Sequence, residues 1–458
     1  MPRYDTESSA WTTFEPCPAP DSMSIMGGMN ITQRAREARE ASRKILSVSA
    51  ESRSSALNSV RLALINRSEE IFAANKIDMD RSTAEGLAPP MLKRLKFDEI
   101  KLNRVCEGIR SLELAEDPMG RVLEQRELDK GLILSRVSGP IGVIGMIFES
   151  RPDALIQIAT LCLRSGNAVI LKGGSEALET NRILTRVIAE AASGEKLPSG
   201  GQPDGWIQLA ETREEVREML ILNHLIDLLI PRGSNEFVAR IMRDSSIPVL
   251  GHADGICHVY LDKDADPEKA VPIVLDSKMQ YVAVCNAAET LLVHSAAAET
   301  LLPLIHDSLT AAGCELRGCD RTQKIIEVKT ALPEDWDTEY LDAILSIKIV
   351  DTLDEAVAHI HRHGSGHTEA IITENGESAE AFMARVDAAD VFHNCSTRFA
   401  DGFVFGLGAE VGISTSKIHA RGPVGVEGLL SYRWQLRGSG QVIRDYNDGL
   451  KTFTHKEL

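Results

Sequence analysis

From Asn30 to about Glu116 the chain carries apolar residues at three- and four-residue steps. ITQRAREAREASRKILSVS and AESRSSALNSVRLALINRSEEIFAANKIDMDRS show the period, which predicts a layer of amphipathic helices. RVLEQRELDKGLILSRV then alternates apolar and polar positions and turns at Asp129-Lys130-Gly131, the pattern of a β-hairpin. A hairpin protruding from an α/β body suits an arm between subunits.

From Pro140 the alternation gives way to continuous apolar runs. IGVIGMIFE, NAVILK, GWIQLA and LIDLLIPRGS predict strands, with helices PDALIQIATLCLRSG and SEALETNRILTRVIAEAA among them. Strands apolar on both faces and alternating with helices imply a parallel sheet covered on both sides. A second series begins near Pro248, with strands in VLGHADGICHVYLD, ETLLVH, SIKIVD and TEAIITE and helices DPEKAVPIVLDSKMQ, SAAAETLLPLIHDSLTAAG and LDEAVAHIHRHG. The expected fold is therefore α/β, with two open doubly wound domains and a cleft between them. SGEKLPSGGQPDG reads as a surface loop.

Composition narrows the partners. With 43% hydrophobic and 26% charged residues among 458, and a formal net charge of −17, the chain reads as a globular protein without an extended basic run. Nucleic acid and anionic membrane are not expected partners. No apolar stretch approaches the ~20 residues of a membrane span, and residues 1–28 lack the order of a secretory signal. They read as a disordered extension of a cytoplasmic protein. Eight cysteines at irregular spacings and no CxxC point to reduced thiols rather than a disulfide framework.

The chemical signals are dispersed. No GxGxxG follows a strand, so a nucleotide would have to bind in another way. Two strand ends nevertheless offer backbone donors, a hydroxyl and a cation: Lys172-Gly173-Gly174-Ser175 and Pro231-Arg232-Gly233-Ser234. Of His359, His361, His363 and His367, only His359 and His363 share a helix face, so a solvated helix end is expected and no metal site. Cys162 lies on an apolar helix face, and Cys314 and Cys319 fall in what reads as a polar loop. Cys285 in QYVAVCNAAETLLVH and Cys395 in FHNCSTRFADG both sit among small and polar residues. Pattern alone leaves both as candidate nucleophiles.

Longer stretches carry a resemblance. IGVIGMIFESRPDALIQIATLCLRSGNAVILKGGSEALETN, PVLGHADGICHVYLD, VCNAAETLLVH, HGSGHTEAIIT and FHNCSTRFADGFVFGLGAEVGISTSKIHARGPVGVEGL resemble the gamma-glutamyl phosphate reductase family, within the aldehyde dehydrogenase superfamily. The resemblance runs from about Met29 to Trp434. It implies an aldehyde dehydrogenase-like fold: a cofactor domain at 29–119 and 138–249 with a return at 418–431, a catalytic domain at 250–417, and an oligomerisation arm at 120–137 and 432–458.

The resemblance also implies a reaction: L-glutamyl 5-phosphate is reduced with NADPH to L-glutamate 5-semialdehyde and phosphate, the second step of proline synthesis from glutamate. Cys285 matches the family's nucleophile, which decides against Cys395. The Cys285 backbone N–H, the Asn286 side chain and Ser150 are expected to hold the oxyanion. NADP(H) contacts fall to Lys172, Gly174, Ser175, Gly233 and Ser234, with Glu410 near the nicotinamide ribose. Arg151 and Arg398 are expected to clamp the substrate anions, an ion pair within each loop being the alternative. Gly251 stands where many relatives carry a glutamate, so no water-activating group is expected there. A homo-oligomer and a transient contact with glutamate 5-kinase complete the expectations. Two other readings stay open: oxidation of an aldehyde with NAD, and a non-catalytic scaffold for that kinase.

Overall fold

Helix-forming sequence opens the described chain. The structure, a computed structural model, describes residues 30–149, 151–193, 200–251, 254–407 and 409–458. The expected extension at 1–28, Ser150 and residues 194–199 of the expected surface loop lie outside them. Helices α1 (Ile31–Ile45), α2 (Ala50–Asn66), α3 (Ser68–Ala84), α4 (Pro89–Leu95) and α5 (Glu99–Leu114) form the first layer. Asn30, Ser49 and Asp98 cap α1, α2 and α5, each accepting a backbone N–H three residues on. Their apolar faces bury Ile31, Ala38, Leu57, Val60 and Ile109 in one core with the sheet beneath.

That sheet is parallel, in the order β5-β4-β3-β6, from β3 (Val143–Phe148), β4 (Ala168–Lys172), β5 (Ile207–Leu209) and β6 (Leu228–Arg232). Every residue of β3 and β4 is buried, as their unbroken apolar runs require. Helix α6 (Pro152–Ser165) is buried along nearly all its length; it starts on a proline and ends at Gly166 in the left-handed region (φ 73°). Strand order reverses between β3 and β6, so a crevice opens at their carboxyl ends, beside Glu149, Arg232 and Gly233.

The second sheet has seven strands among the described residues, in the order β10-β9-β11-β8-β7-β12-β13, all parallel. Its centre is β7 (Cys257–Leu261), β8 (Ala288–His294), β11 (Ile344–Val350), β12 (Thr368–Ile372) and β13 (Asp390–His393), with β9 (Glu315–Gly318) and β10 (Lys329–Thr330) toward one edge. The register pairs Cys257 with Ala288, His258 with Glu369, and Thr368 with Asp390. The chain just ahead of β7, β8 and β12 is thereby gathered at one edge, and Gly255, Cys285 and His367 stand there.

A third sheet is antiparallel, in the order β16-β2-β1-β17. The hairpin turns at Asp129-Lys130-Gly131 between β1 (Val122–Asp129) and β2 (Leu132–Pro140). The tail strand β16 (Leu430–Arg437) pairs along β2, and β17 (Lys456–Glu457) closes on β1. Hairpin and tail thus form one unit through hydrogen bonds within the chain. No helix of the described residues is long and apolar enough to cross a membrane.

Two local expectations are corrected. GCELRGCD is not a polar loop: it holds β9, and Cys314 is buried in the core of the second domain. HIHRHGSGH is a solvated helix end only in part: His361 and Arg362 are exposed. His359 is buried, with its imidazole pushed down to about 2 by burial and by nearby cations, and His367 is wholly buried. The helical period shows which face His359 takes, but not that the end of this helix lies under another element.

A buried ion pair ties β8 to the helix α10 (Pro267–Met279). Lys278 Nζ and Glu289 Oε2 are in contact at essentially full burial, and burial still pushes the Glu289 carboxyl up to about 7 against the pull of Lys278. Lys278→Met leaves the carboxylate unpaired and should lower stability by about 3–5 kcal/mol; adding Glu289→Leu should restore most of it. Guanidinium unfolding followed by tryptophan fluorescence measures both changes.

Candidate active site

Cys285 lies on the loop between α10 and β8, half-buried. Gly255 fits against it with no room to spare: a Cβ there would stand 2.4 Å from the Cys285 carbonyl oxygen and 2.5 Å from its Cα. The buried Cys257 thiol donates to the same carbonyl at 3.2 Å. The loop is therefore held on its backbone, which leaves the side chain for chemistry.

His367 places Nε2 3.2 Å from Cys285 Sγ. Its Nδ1 is 2.8 Å from Thr368 Oγ1, which in turn lies 3.5 Å from Asp390 Oδ2. With the hydroxyl donating to the carboxylate, Thr368 Oγ1 accepts from Nδ1–H, and Nε2 is left as acceptor for the thiol proton. Alternation along β12 and the glycines before it deliver this geometry. A buried nitrogen base next to a thiol is the arrangement that activates a cysteine nucleophile.

The surrounding charges are mixed. Burial pushes the Cys285 thiol up to about 12; Glu339 adds to the rise, Arg232 opposes it, and Glu410 adds to it again. Burial and the two carboxylates thus favour the neutral thiol, and His367 Nε2 lies within reach of its proton. Cys395 is raised by burial alone, without a charged group acting on it.

Asn286, beside the thiol, is buried, and its Nδ2 donates to the Ala400 carbonyl at 2.9 Å. One of its two side-chain N–H groups is thus taken. Arg151 pairs with Asp153 at 3.0 Å and lies within the field of Arg232. Arg398 donates from Nε to Gln280 at 2.9 Å and lines a cavity of about 340 Å³ with Asp276, Phe399 and Val404.

The two cofactor-type strand ends converge. The Glu149 carboxyl is raised by burial and by Glu176, and receives the Ser234 backbone N–H, so the turns after β4 and β6 meet around it. Lys172 is buried with Nζ on the Gly173 carbonyl, and burial lowers its ammonium. Ser175 opens a short 3-10 turn. At Gly174 a Cβ would run into the Glu176 carboxylate, and at Gly233 one would stand 3.0 Å from Glu149 and Phe237. The space beside both glycines is thus taken up by the Glu176 and Glu149 side chains, so neither position admits a larger residue. Glu410 accepts from the Gly402 N–H at 2.9 Å and faces Arg232.

Three functional groups escape a reading of the sequence. His367 stands out there only as a metal ligand to be weighed, although its place just ahead of a buried strand is a signal that could have marked it. Arg232 reads as one cation at a strand end; its half-buried place within the field of Cys285 follows from the facing of the two domains. Glu339 accepts from the Asn235 side chain, next to Ser234, and acts on Cys285; nothing in its polar neighbourhood signals that.

The aldehyde dehydrogenase family model matches residues 22–315. The gamma-glutamyl phosphate reductase of Acetivibrio thermocellus is 56% identical over 94% of this chain and 99% of its own. That of Trichodesmium erythraeum is 49% identical over 94% and 99%. The solved gamma-glutamyl phosphate reductase of Thermotoga maritima superposes with a TM-score of 0.87 at 37% identity, covering 90% of this chain and all of that one. An acetylating aldehyde dehydrogenase from Geobacillus thermoglucosidasius, at 17% identity and TM-score 0.62, shares the fold.

Alkylation of Cys285 by iodoacetamide, read from the mass of its peptide, tests the local chemistry. His367→Ala should slow it at neutral pH by about a hundredfold, the lower range of general-base effects. Arg232→Gln removes the charge that favours the thiolate, so the pH profile should move to higher pH.

Proposed function

The chain belongs to the aldehyde dehydrogenase family, among the gamma-glutamyl phosphate reductases of proline biosynthesis, and on that premise we propose that it works with NADPH through a thioester on Cys285. The observation that carries the thioester reading is the 3.2 Å contact between Cys285 Sγ and His367 Nε2. His367 takes the thiol proton as Cys285 attacks the acyl carbon of L-glutamyl 5-phosphate. The carbon–oxygen bond to phosphate breaks, phosphate leaves, and the thioester remains. NADPH, when bound, supplies the hydride that reduces this thioester. Collapse of the resulting thiohemiacetal releases L-glutamate 5-semialdehyde, and Cys285 recovers its proton from His367.

The Cys285 N–H and the second side-chain N–H of Asn286 hold the oxyanion, with Ser150 as a further donor. Lys172, Gly174, Ser175, Gly233 and Ser234 hold NADPH. Arg213 lies within electrostatic reach of Lys172, and two cations suit a 2′-phosphate. Both Glu410 and Glu339 are candidates for the nicotinamide ribose; Glu339 has the contact with Asn235 in its favour. Arg151, with Arg232 behind it, receives the phosphate, and Arg398 is a second anion contact.

The domain division is proposed as stated from the sequence, with copies associating through the arm. Tyr432, Trp434 and Leu436 are exposed on its outermost strand β16, which supports this. A cytoplasmic location and a transient contact with the kinase that makes the acyl phosphate belong to the same reading.

NADP reduction by purified protein with glutamate 5-semialdehyde, in phosphate and phosphate-free buffer, tests it. Phosphate-dependent turnover that disappears in Cys285→Ala is the expected result. Turnover without phosphate would mean that water opens the thioester, and would favour aldehyde oxidation to the acid.

A further inference from the structure

A cavity of about 370 Å³ opens where the chain enters β12, lined by Gly364, Ser365, Glu369, Asp387, Lys417 and Arg421 among others. It belongs to the same edge of the second sheet as Cys285. Gly366 on its wall precedes His367, and Gly422, next to Arg421, would place a Cβ 3.3 Å from Asp390 at the end of the His367 relay.

Two cations of this cavity share one carboxylate: Lys417 Nζ meets Asp387 Oδ2, and Arg421 Nη2 lies 2.9 Å from Asp387 Oδ1, with Asp390 acting on Arg421 at longer range. Arg421 Nε is buried and has no hydrogen-bond partner among the described residues. On the opposite side, wholly buried Glu369 receives the His258 backbone N–H at 2.7 Å and faces His258 Nδ1 at 3.0 Å, both on Oε2. Its Oε1 is buried and has no hydrogen-bond partner among the described residues. Gly364 passes close to that oxygen, where a Cβ would stand 2.9 Å from it. One cavity therefore holds an unsatisfied cationic donor and an unsatisfied anionic acceptor. Buried groups of that kind are costly unless a ligand completes them.

We propose that this cavity receives the α-amino acid head group of the substrate, its ammonium on Glu369 and its carboxylate on Arg421 and Lys417. The inference rests on the reductase reading, and names the part of the site that selects an amino acid from simpler acyl phosphates or aldehydes. A ligand with one positive and one negative group matches the two unsatisfied partners, and either charge alone leaves one of them unpaired. Sites built this way reject analogues lacking the polar group more sharply than apolar pockets reject a missing methylene. Lys417 is largely exposed at the rim, so the entering carboxylate can exchange water for it as the head group seats.

The test compares kcat/KM, by NADP reduction in phosphate buffer, for glutamate 5-semialdehyde, for 5-oxopentanoate, which lacks the amino group, and for 4-aminobutanal, which lacks the carboxylate. Glu369→Gln should lower the preference over 5-oxopentanoate by about tenfold or more, and Arg421→Gln the preference over 4-aminobutanal by a similar factor, as loss of a charge-assisted hydrogen bond implies. Lys417→Ala, at the exposed rim, should weaken the second preference even if the buried variants do not fold. Unchanged preferences in folded variants would overturn the proposal. Should wild-type protein fail to turn over the semialdehyde, the reductase reading falls, and protection of Cys285 from iodoacetamide by L-glutamate decides the pocket. Protection lost in Glu369→Gln supports it, and protection absent or unaltered overturns it.

Discussion

The approach of Gly255 to the Cys285 backbone is the contact on which the site depends. A side-chain carbon at residue 255 would stand 2.4–2.6 Å from three atoms of Cys285, so only hydrogen fits, and the segment ahead of β7 can lie flat against the loop ahead of β8. The parallel register then does the remaining placement. Cys257 stands opposite Ala288 and His258 opposite Glu369, and adjacent strands are about 4.8 Å apart. β12 and β8 both flank β7, so they lie about 9–10 Å apart, and His367 and Cys285 meet by reaching toward each other past the segment ahead of β7. Closeness in sequence plays no part in that meeting.

The facing of the two domains supplies the rest. The carboxyl edge of the first sheet brings Arg232 to the amino edge of the second, where it acts on Cys285 and Glu410 together. Half-buried, the thiol is held in its neutral form by loss of water and by two carboxylates, while one guanidinium favours the anion. Such a balance keeps the nucleophile inactive until its proton has somewhere to go, and His367 is placed to take it. The thioester proposed on Cys285 would be partly withdrawn from bulk water in these surroundings, which would suit hydride transfer rather than hydrolysis.

Much of this is legible along the chain. Unbroken apolar runs in IGVIGMIF and NAVILK can only be strands covered on both faces, and β3 and β4 are buried at every position. The Asp129-Lys130-Gly131 turn fixes the hairpin, because a left-handed residue is needed there and Gly131 has φ 72°. Less legible are GCELRGCD, whose polar letters conceal a strand one face of which is buried, and the histidine cluster, whose burial comes from elements distant in sequence.

Local period and turn chemistry are properties of neighbours along the chain, so the sequence by itself determined the two α/β series, the hairpin and the cysteine loop ahead of ETLLVH. Proximity across strands is not such a property. His367 serves Cys285 from 82 positions away. That contact, the facing of Arg232 and Glu339 toward the thiol, and the sharing of one cavity by Glu369 and Arg421 were decided only by register and by how the domains face each other. The energy of a buried charge depends on what surrounds it in space, and that is set by the tertiary structure.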